Sequence, residues 1–262
     1  MGSPDGPVLM EATLLTGELS LHGRVMPASN ATFVGEITGR RVVYKPVAGE
    51  RPLWDFPDGT LAGREVAAYA VSEALGWDIV PPTFHRDGPH GPGMVQLWQE
   101  PDPLQEAVTI VRDTDVPEGY LYVFEGLDDR DQLVSLVHED TAELRRMAVF
   151  DVVVNNADRK GGHVIAMTGG HRYGVDHGLT FHVEPKLRTV LWGWAGDLLT
   201  DEDRTSLEQL RDRLDNELGE CLLELLTPHE VEATRRRVTR LLRVGTLPEP
   251  GQGWRAIPWP PF

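Results

Sequence analysis

The run MAVFDVVV, residues 147–154, passes directly into NNADRKGGH, residues 155–163. The first segment is apolar enough to lie in a core as a helix or strand. The second places an acid, two bases, two glycines and a histidine on one loop. Downstream, HVIAM, the turn TGG and HRYGVDHGLTF read as a hairpin followed by a loop. A hairpin returns the chain on itself, so Asp158 and Asp176 come to the same side of a cleft. Two acids so placed suit phosphoryl transfer. One orients or deprotonates the attacking hydroxyl, and the other holds the metal that neutralises charge on the phosphates. Each aspartate taken alone is equally well read as turn chemistry, Asp158 capping a turn and Asp176 opening an Asx-turn at DHG.

Working back towards the N-terminus, LSLHGRVM, ATFVGEI and RRVVYKP are short strand-like runs separated by PASN and TGR, which predicts an antiparallel sheet. LAGREVAAYAVSEALGW follows with helical composition and packs on that sheet. DIVPPTFHR and GMVQLWQE add two strands around the turn DGPHGPG, and PDPLQE reads as a connector. Lys45 sits inside one apolar strand, and Glu65 in the first turn of the alanine-rich helix. Alone, Lys45 reads as a side chain reaching solvent and Glu65 as a helix-dipole partner. Together, a strand lysine and a helix acid form the pair that fixes an ATP-contacting lysine in kinases.

The boundary between two lobes falls near Glu100, giving residues 1–100 and 101–262. Beyond it, DQLVSLVHEDTAELRRMAVFDVVVNN predicts two helices, the second ending at the polar loop. The last third is helical, with a capping box from Thr200 to Asp203 and a second start at Thr227-Pro228-His229-Glu230. Arg235, Arg236, Arg237, Arg240 and Arg243 read as a solvated helix face, with phosphate binding as the alternative. The tail GQGWRAIPWPPF cannot be helical beyond Ile257, and Trp254, Trp259 and Phe262 mark it as an extended strap packed back on the protein.

The 262 residues, 40% hydrophobic, are enough for a sizeable core, and the formal charge of −16 opposes nucleic acid and anionic membranes. The single cysteine, Cys221, allows no internal disulfide and reads as a buried hydrophobe; a reducing cytoplasm is the expected setting. No signal peptide and no membrane span is expected.

The pattern DVVVNNADRKGGHVI followed by GVDHGLTF resembles the catalytic and metal-binding loops of the phosphatidylinositol 3-/4-kinase-like superfamily. It is similar to the type II phosphatidylinositol 4-kinases, to HipA-like protein kinases and to an actinobacterial branch. With SNATF and YKP the likeness spans most of residues 28–182. It implies a bilobal, protein-kinase-like α+β fold with a small antiparallel β-rich N-lobe and a mainly helical C-lobe. It implies ATP and Mn²⁺ or Mg²⁺ as cofactors, with Lys45 on the α/β-phosphates and Glu65 anchoring it. Ser29, Asn30 and Thr32 would form the phosphate-covering turn, and Gln96, Leu97 and Trp98 the inter-lobe hinge at the adenine. Asp158 would be the catalytic acid/base and Asp176 the principal metal ligand. The departure is His163, where relatives place asparagine. An imidazole nitrogen is softer than a carbonyl oxygen, so Mn²⁺ is expected to be preferred over Mg²⁺. Arg159 and Lys160 either neutralise phosphate or are solvated.

The acceptor expected is a protein serine or threonine, including the chain itself, with no nucleic acid and no stable membrane association. The alternative is a pseudokinase or nucleotide-binding scaffold. Lesser alternatives are a lipid kinase and a metal-dependent hydrolase using His163, His171, His177 or His182 with Asp176.

Overall fold

Strand RRVVYKP alternates as a half-buried strand should. Val42 and Tyr44 are fully buried on one face, while Val43 and Lys45 point to the other. In the computed structural model, which describes residues 7–26, 30–51, 53–56, 60–112, 115–251 and 255–262, this strand is β3 (Arg40–Pro46). It is central in a five-stranded antiparallel sheet of order β1-β2-β3-β5-β4, with β1 Leu19–Arg24, β2 Phe33–Ile37, β4 Thr83–Gly88 and β5 Gly91–Leu97. The β2–β3 turn is Thr38-Gly39, both with positive φ (50° and 77°), the geometry that matches the twist of a two-residue hairpin. Helix α1 (Pro7–Thr16), which sequence reading missed, covers one face of the sheet. Its Leu14 packs with Leu19, Ile37, Val42, Tyr44 and Val95 in a small core, and Arg86 Nη1 donates to the carbonyls of Leu14 and Gly17 at 2.8 Å, tying its end to β4.

Helix α2 (Leu61–Leu75) has a doubly secured start. The Thr60 side chain accepts from Gly63 N, and the Glu50 carboxylate accepts from Leu61 N and Ala62 N at 3.0 and 2.8 Å. It stops at Gly76, in the left-handed region at φ 69°. Glu65 is its fifth residue, so it opens the second turn and not the first. The apolar stripe Ala67, Ala68, Val71 and Leu75 enters the main core, which continues through α3 (Ala142–Val154), α4 (Asp201–Leu214), α5 (Glu217–Leu223) and α6 (Pro228–Val244). One helix thus joins the sheet to the helical half and carries Glu65 between them.

The chain is α+β, as expected, but the second half holds more strand than was read. Residues 133–139, expected as helix, are strand β8 (Leu133–Glu139), paired between β6 (Val108–Arg112) and β7 (Tyr120–Leu127) in a three-stranded antiparallel sheet. LVSLVHE is buried along most of its length with no polar alternation, and a short apolar run of that kind has no period to distinguish strand from helix. Helix α3 starts at its N-cap Thr141 and ends at Asn155, whose φ of 53° turns the chain into the polar loop. The hairpin is β9 (Val164–Ala166) with β10 (Arg172–Gly174). Both capping boxes are present at α4 and α6, the second with Pro228 at the helix start. Cys221 is exposed, not in the core as expected.

Candidate active site

Lys45 stands on the sheet face that looks toward the helical half. Its Nζ is 2.5 Å from Glu65 Oε1 and 2.7 Å from Asp176 Oδ1. Three separate elements, β3, α2 and the loop after β10, therefore meet at one ammonium. Burial works against that charge, but the carboxylates of Asp176 and Glu65 outweigh it and hold the lysine's pKa above its ordinary value. Lys45, ahead of the opposing effect of burial, holds the Asp176 carboxyl well below the usual range. Burial pushes Glu65 upward, with Lys45 opposing. The second oxygen of Glu65 accepts from the backbone N–H of His177 at 3.0 Å, so one carboxylate fixes both the lysine and the loop that presents Asp176. Asp176 is itself left-handed (φ 63°), a conformation aspartate tolerates, and its side chain is 55% exposed.

Asp158 and His163 flank this centre. Burial raises the Asp158 pKa, partly offset by Lys160, whose Nζ is 3.8 Å away. The Asp158 backbone N–H donates to Asn156 Oδ1 at 3.0 Å, which sets the loop's turn. His163 Nε2 lies 3.4 Å from Asp176 Oδ2. Burial pushes the imidazole down to about 4, against the pull of Asp176, so it is neutral at physiological pH and able to offer a lone pair. Asp176 and His163 thus bring a carboxylate oxygen and an imidazole nitrogen together at one place. Among the described residues no group of three or more His, Cys, Asp or Glu side chains could hold a metal ion. The other histidines disperse: His171 contacts Asp78, His182 packs its ring edge on Phe56, and His177 is buried under Arg159.

Arg159 is fully buried, contrary to both readings of it as a phosphate-neutralising or solvated side chain. Its Nε and Nη2 donate to the Asp151 carboxylate at 3.0 and 2.9 Å, its Nη1 to the carbonyls of His163 and Val175 at 3.2 Å, and its Nη2 to His177 Nε2 at 2.7 Å. Asn156 Nδ2 and Thr189 Oγ1 complete the shell around Asp151. One guanidinium thus ties together α3, the carbonyl of His163 and the residue before Asp176. Asn155 does similar work, donating to the carbonyls of His182 and Glu184 and accepting from Lys186 N. Sequence reasoning missed these positioning residues. Asp151, an acid inside the apolar run VFDVVV, was the available signal of a buried cation nearby.

The remaining candidates fall in several places. Ser29 lies outside the described residues, as does Trp254 of the tail. Asn30 Oδ1 accepts from Arg51 N at 2.9 Å and Ala31 N donates to Gly49 O, so the turn at 30–32 is pinned to the segment after β3. Gly49 is required there, because a Cβ would lie 2.3 Å from that of Ala31. Gln96 shares the Lys45 face of the sheet, yet its amide is buried and donates to Thr83 Oγ1 at 2.8 Å. Leu97 points to the opposite face, against the small core under α1. Trp98 Nε1 donates to Glu100, with the Arg41 guanidinium over its ring. A cavity of about 840 Å³ bounded by Trp54, Phe56, Arg64, His182 and Lys186 includes none of the residues expected to meet ATP, metal or acceptor in the kinase reading. Of the arginine cluster, Arg236 pairs with Glu232 in solvent, Arg235 reaches Asp215 and the Leu214 carbonyl, and Arg237 is half-buried and donates to backbone carbonyls.

No family model matches the sequence. Among solved structures, the crystal structure of a Helicobacter pylori proinflammatory kinase, CtkA, aligns over 89% of this chain and 94% of its own, at 10% identity and a TM-score of 0.45. Protein Rv2133c of Mycobacterium tuberculosis is 52% identical over 264 residues, covering 96% of this chain and 95% of the relative. At that identity over nearly both full lengths, the chain belongs to the family of Rv2133c.

Proposed function

We propose that this protein is an ATP- and divalent-metal-dependent phosphotransferase of the phosphatidylinositol 3-/4-kinase-like type, acting on serine or threonine hydroxyls of proteins, itself included, with Mn²⁺ preferred. The observation that carries this reading is the Lys45 ammonium shared between buried Glu65 and exposed Asp176. A cation kept charged beside a solvent-exposed carboxylate suits the α/β-phosphates, and Glu65 keeps it there when a nucleotide competes for it. Asp158, its proton affinity raised by burial, would receive the acceptor's hydroxyl proton. Asp176 and neutral His163 would hold the metal, with nucleotide oxygens supplying further ligands, and the metal would neutralise phosphate charge. The turn at 30–32 would cover the phosphates. No helix among the described residues is long and apolar enough to cross a membrane, which is compatible with a protein acceptor.

The test is incubation with labelled ATP and either Mn²⁺ or Mg²⁺, followed by mass spectrometry. Incorporation should be higher with Mn²⁺ and fall about 10²–10⁴-fold in Asp158→Ala. Labelling that survives that substitution removes Asp158 from the role. A second reading, a nucleotide-binding scaffold without turnover, draws on the lack of a three-ligand metal cluster among the described residues. It predicts ATP binding by calorimetry with no incorporation in either metal.

A further inference from the structure

We infer that Phe262 is a specificity-determining residue of the acceptor site, seating an apolar side chain of a polypeptide acceptor beside the hydroxyl that meets Asp158; this rests on the phosphotransferase reading above. The segment 256–262 runs back onto the loop that carries Asp158. The Ala256 carbonyl accepts from Thr189 N and Trp192 Nε1 at 3.0 and 2.9 Å, and the Pro261 carbonyl accepts from Gly161 N at 2.8 Å. Residues 188–190 are in turn bonded to the loop, Arg188 N to Asn156 O and Arg159 N to Arg188 O. The tail is therefore the outer of three hydrogen-bonded layers, and its last bond ends three residues from Asp158.

At that point the Phe262 ring lies directly on Gly161. A Cβ at Gly161 would fall 2.3 Å from Phe262 Cε1 and 2.8 Å from Cδ1 and Cζ, so only glycine lets the ring approach this closely. A ring serving only to fill a core would be covered on both sides. Phe262 is 46% exposed, leaving part of its apolar surface open beside the polar loop. Lys160 reaches back toward Asp158, its Nζ 3.8 Å from the carboxylate. An acceptor hydroxyl arriving at Asp158 carries its neighbouring residues over Gly161 and the open side of the ring. A polypeptide can offer an apolar neighbour there, and the formal charge of −16 disfavours an anionic lipid surface as the source.

The experiment is a positional-scanning library of serine- and threonine-containing peptides with labelled ATP and Mn²⁺, read for wild type, Phe262→Ala, Phe262→Leu and Gly161→Ala. Wild type should select apolar residues at one position flanking the acceptor. Phe262→Ala should weaken that selection about tenfold, as expected for losing half a ring of contact, with the ATP KM unchanged and the melting temperature lowered by no more than a few degrees. Phe262→Leu should restore part of it, and Gly161→Ala should weaken it by displacing the ring. An unchanged profile in Phe262→Ala overturns the inference alone. So does a uniform loss of incorporation with a melting temperature lowered by more than a few degrees, which would make the ring a buttress of the loop. If wild type labels neither peptide nor itself, the phosphotransferase reading fails and this inference fails with it.

Discussion

Two cations organise the centre of this protein, and they do so in opposite environments. Lys45 is shared by Glu65 and Asp176, with Asp176 more than half exposed. Arg159 is shared by Asp151, His177 and two carbonyls with no exposure on either the arginine or Asp151. A lysine is a flexible point charge that can exchange a carboxylate for a phosphate. An arginine fork whose donors point at fixed acceptors cannot change partners without dismantling its surroundings. The first arrangement therefore suits chemistry and the second holds the chemistry's parts in place.

That contrast can be broken by removing one partner from each. Asp151→Ala leaves a buried guanidinium without its carboxylate, which costs about 3–5 kcal/mol. For a chain of this size the melting temperature should fall by about 6–20 °C. Lys45→Met should instead abolish most transfer, by about 10²–10³-fold, while the melting temperature moves by only a few degrees. Glu65, whose pKa burial already raises, can take a proton, and Asp176 remains in contact with water. Thermal denaturation followed by circular dichroism, paired with the labelled-ATP assay, separates the two. Equal thermal losses in both variants would mean that the Lys45 ion pair is as structural as the sealed one.

The difference between the two cations also explains what could be read from the sequence. The first sheet, α2 and the β9–β10 hairpin show themselves by local alternation, turn residues and caps, and Lys45 and Glu65 inherit their positions from those elements. The sealed network is assembled from residues at 151, 156, 159, 177 and 189, and no local period records that burial. A charged side chain is ordinarily expected in solvent, so only its partner Asp151 in α3 marks Arg159 as buried. The same limit applies to β8, whose apolar run lacks a period, and to Leu97, whose side-chain face depends on the register between β3 and β5.

His163 lies between the two cations, its carbonyl held by Arg159 and its ring beside Asp176, so its titration sharpens the comparison. In the metal-free protein its pKa is pushed down to about 4 by burial, while in the unfolded chain it returns to about 6.5. Between those values the unfolded state binds more protons, so stability falls as the pH is lowered through this window, by at most about 3 kcal/mol. Asp176 acts with the same sign only below the ordinary carboxylate range, and thus outside most of the window. Urea unfolding at pH 7.5 and pH 5 should show a smaller acid loss in His163→Asn than in wild type. An identical loss would assign the acid sensitivity elsewhere, with buried His177, also lowered by burial, the next residue to substitute.

The smallest effects are expected in α6, where adjacent arginines repeat the contrast at the surface. Arg237 donates to the carbonyls of Val153 and His182 and to Thr234 Oγ1, and burial pulls its pKa down to about 10. Arg236 makes an exposed i, i+4 pair with Glu232. Arg237→Ala leaves two carbonyls, one at the end of α3 and one just after the Asp176 loop, without this donor, and should cost about 1–3 kcal/mol. Arg236→Ala should change stability by less than about 0.5 kcal/mol, because solvent and salt screen the pair it removes. Denaturant titration at low and high salt tests both. A salt-sensitive loss in Arg236→Ala larger than that in Arg237→Ala would reverse the ranking and restore the whole arginine row as an electrostatic surface.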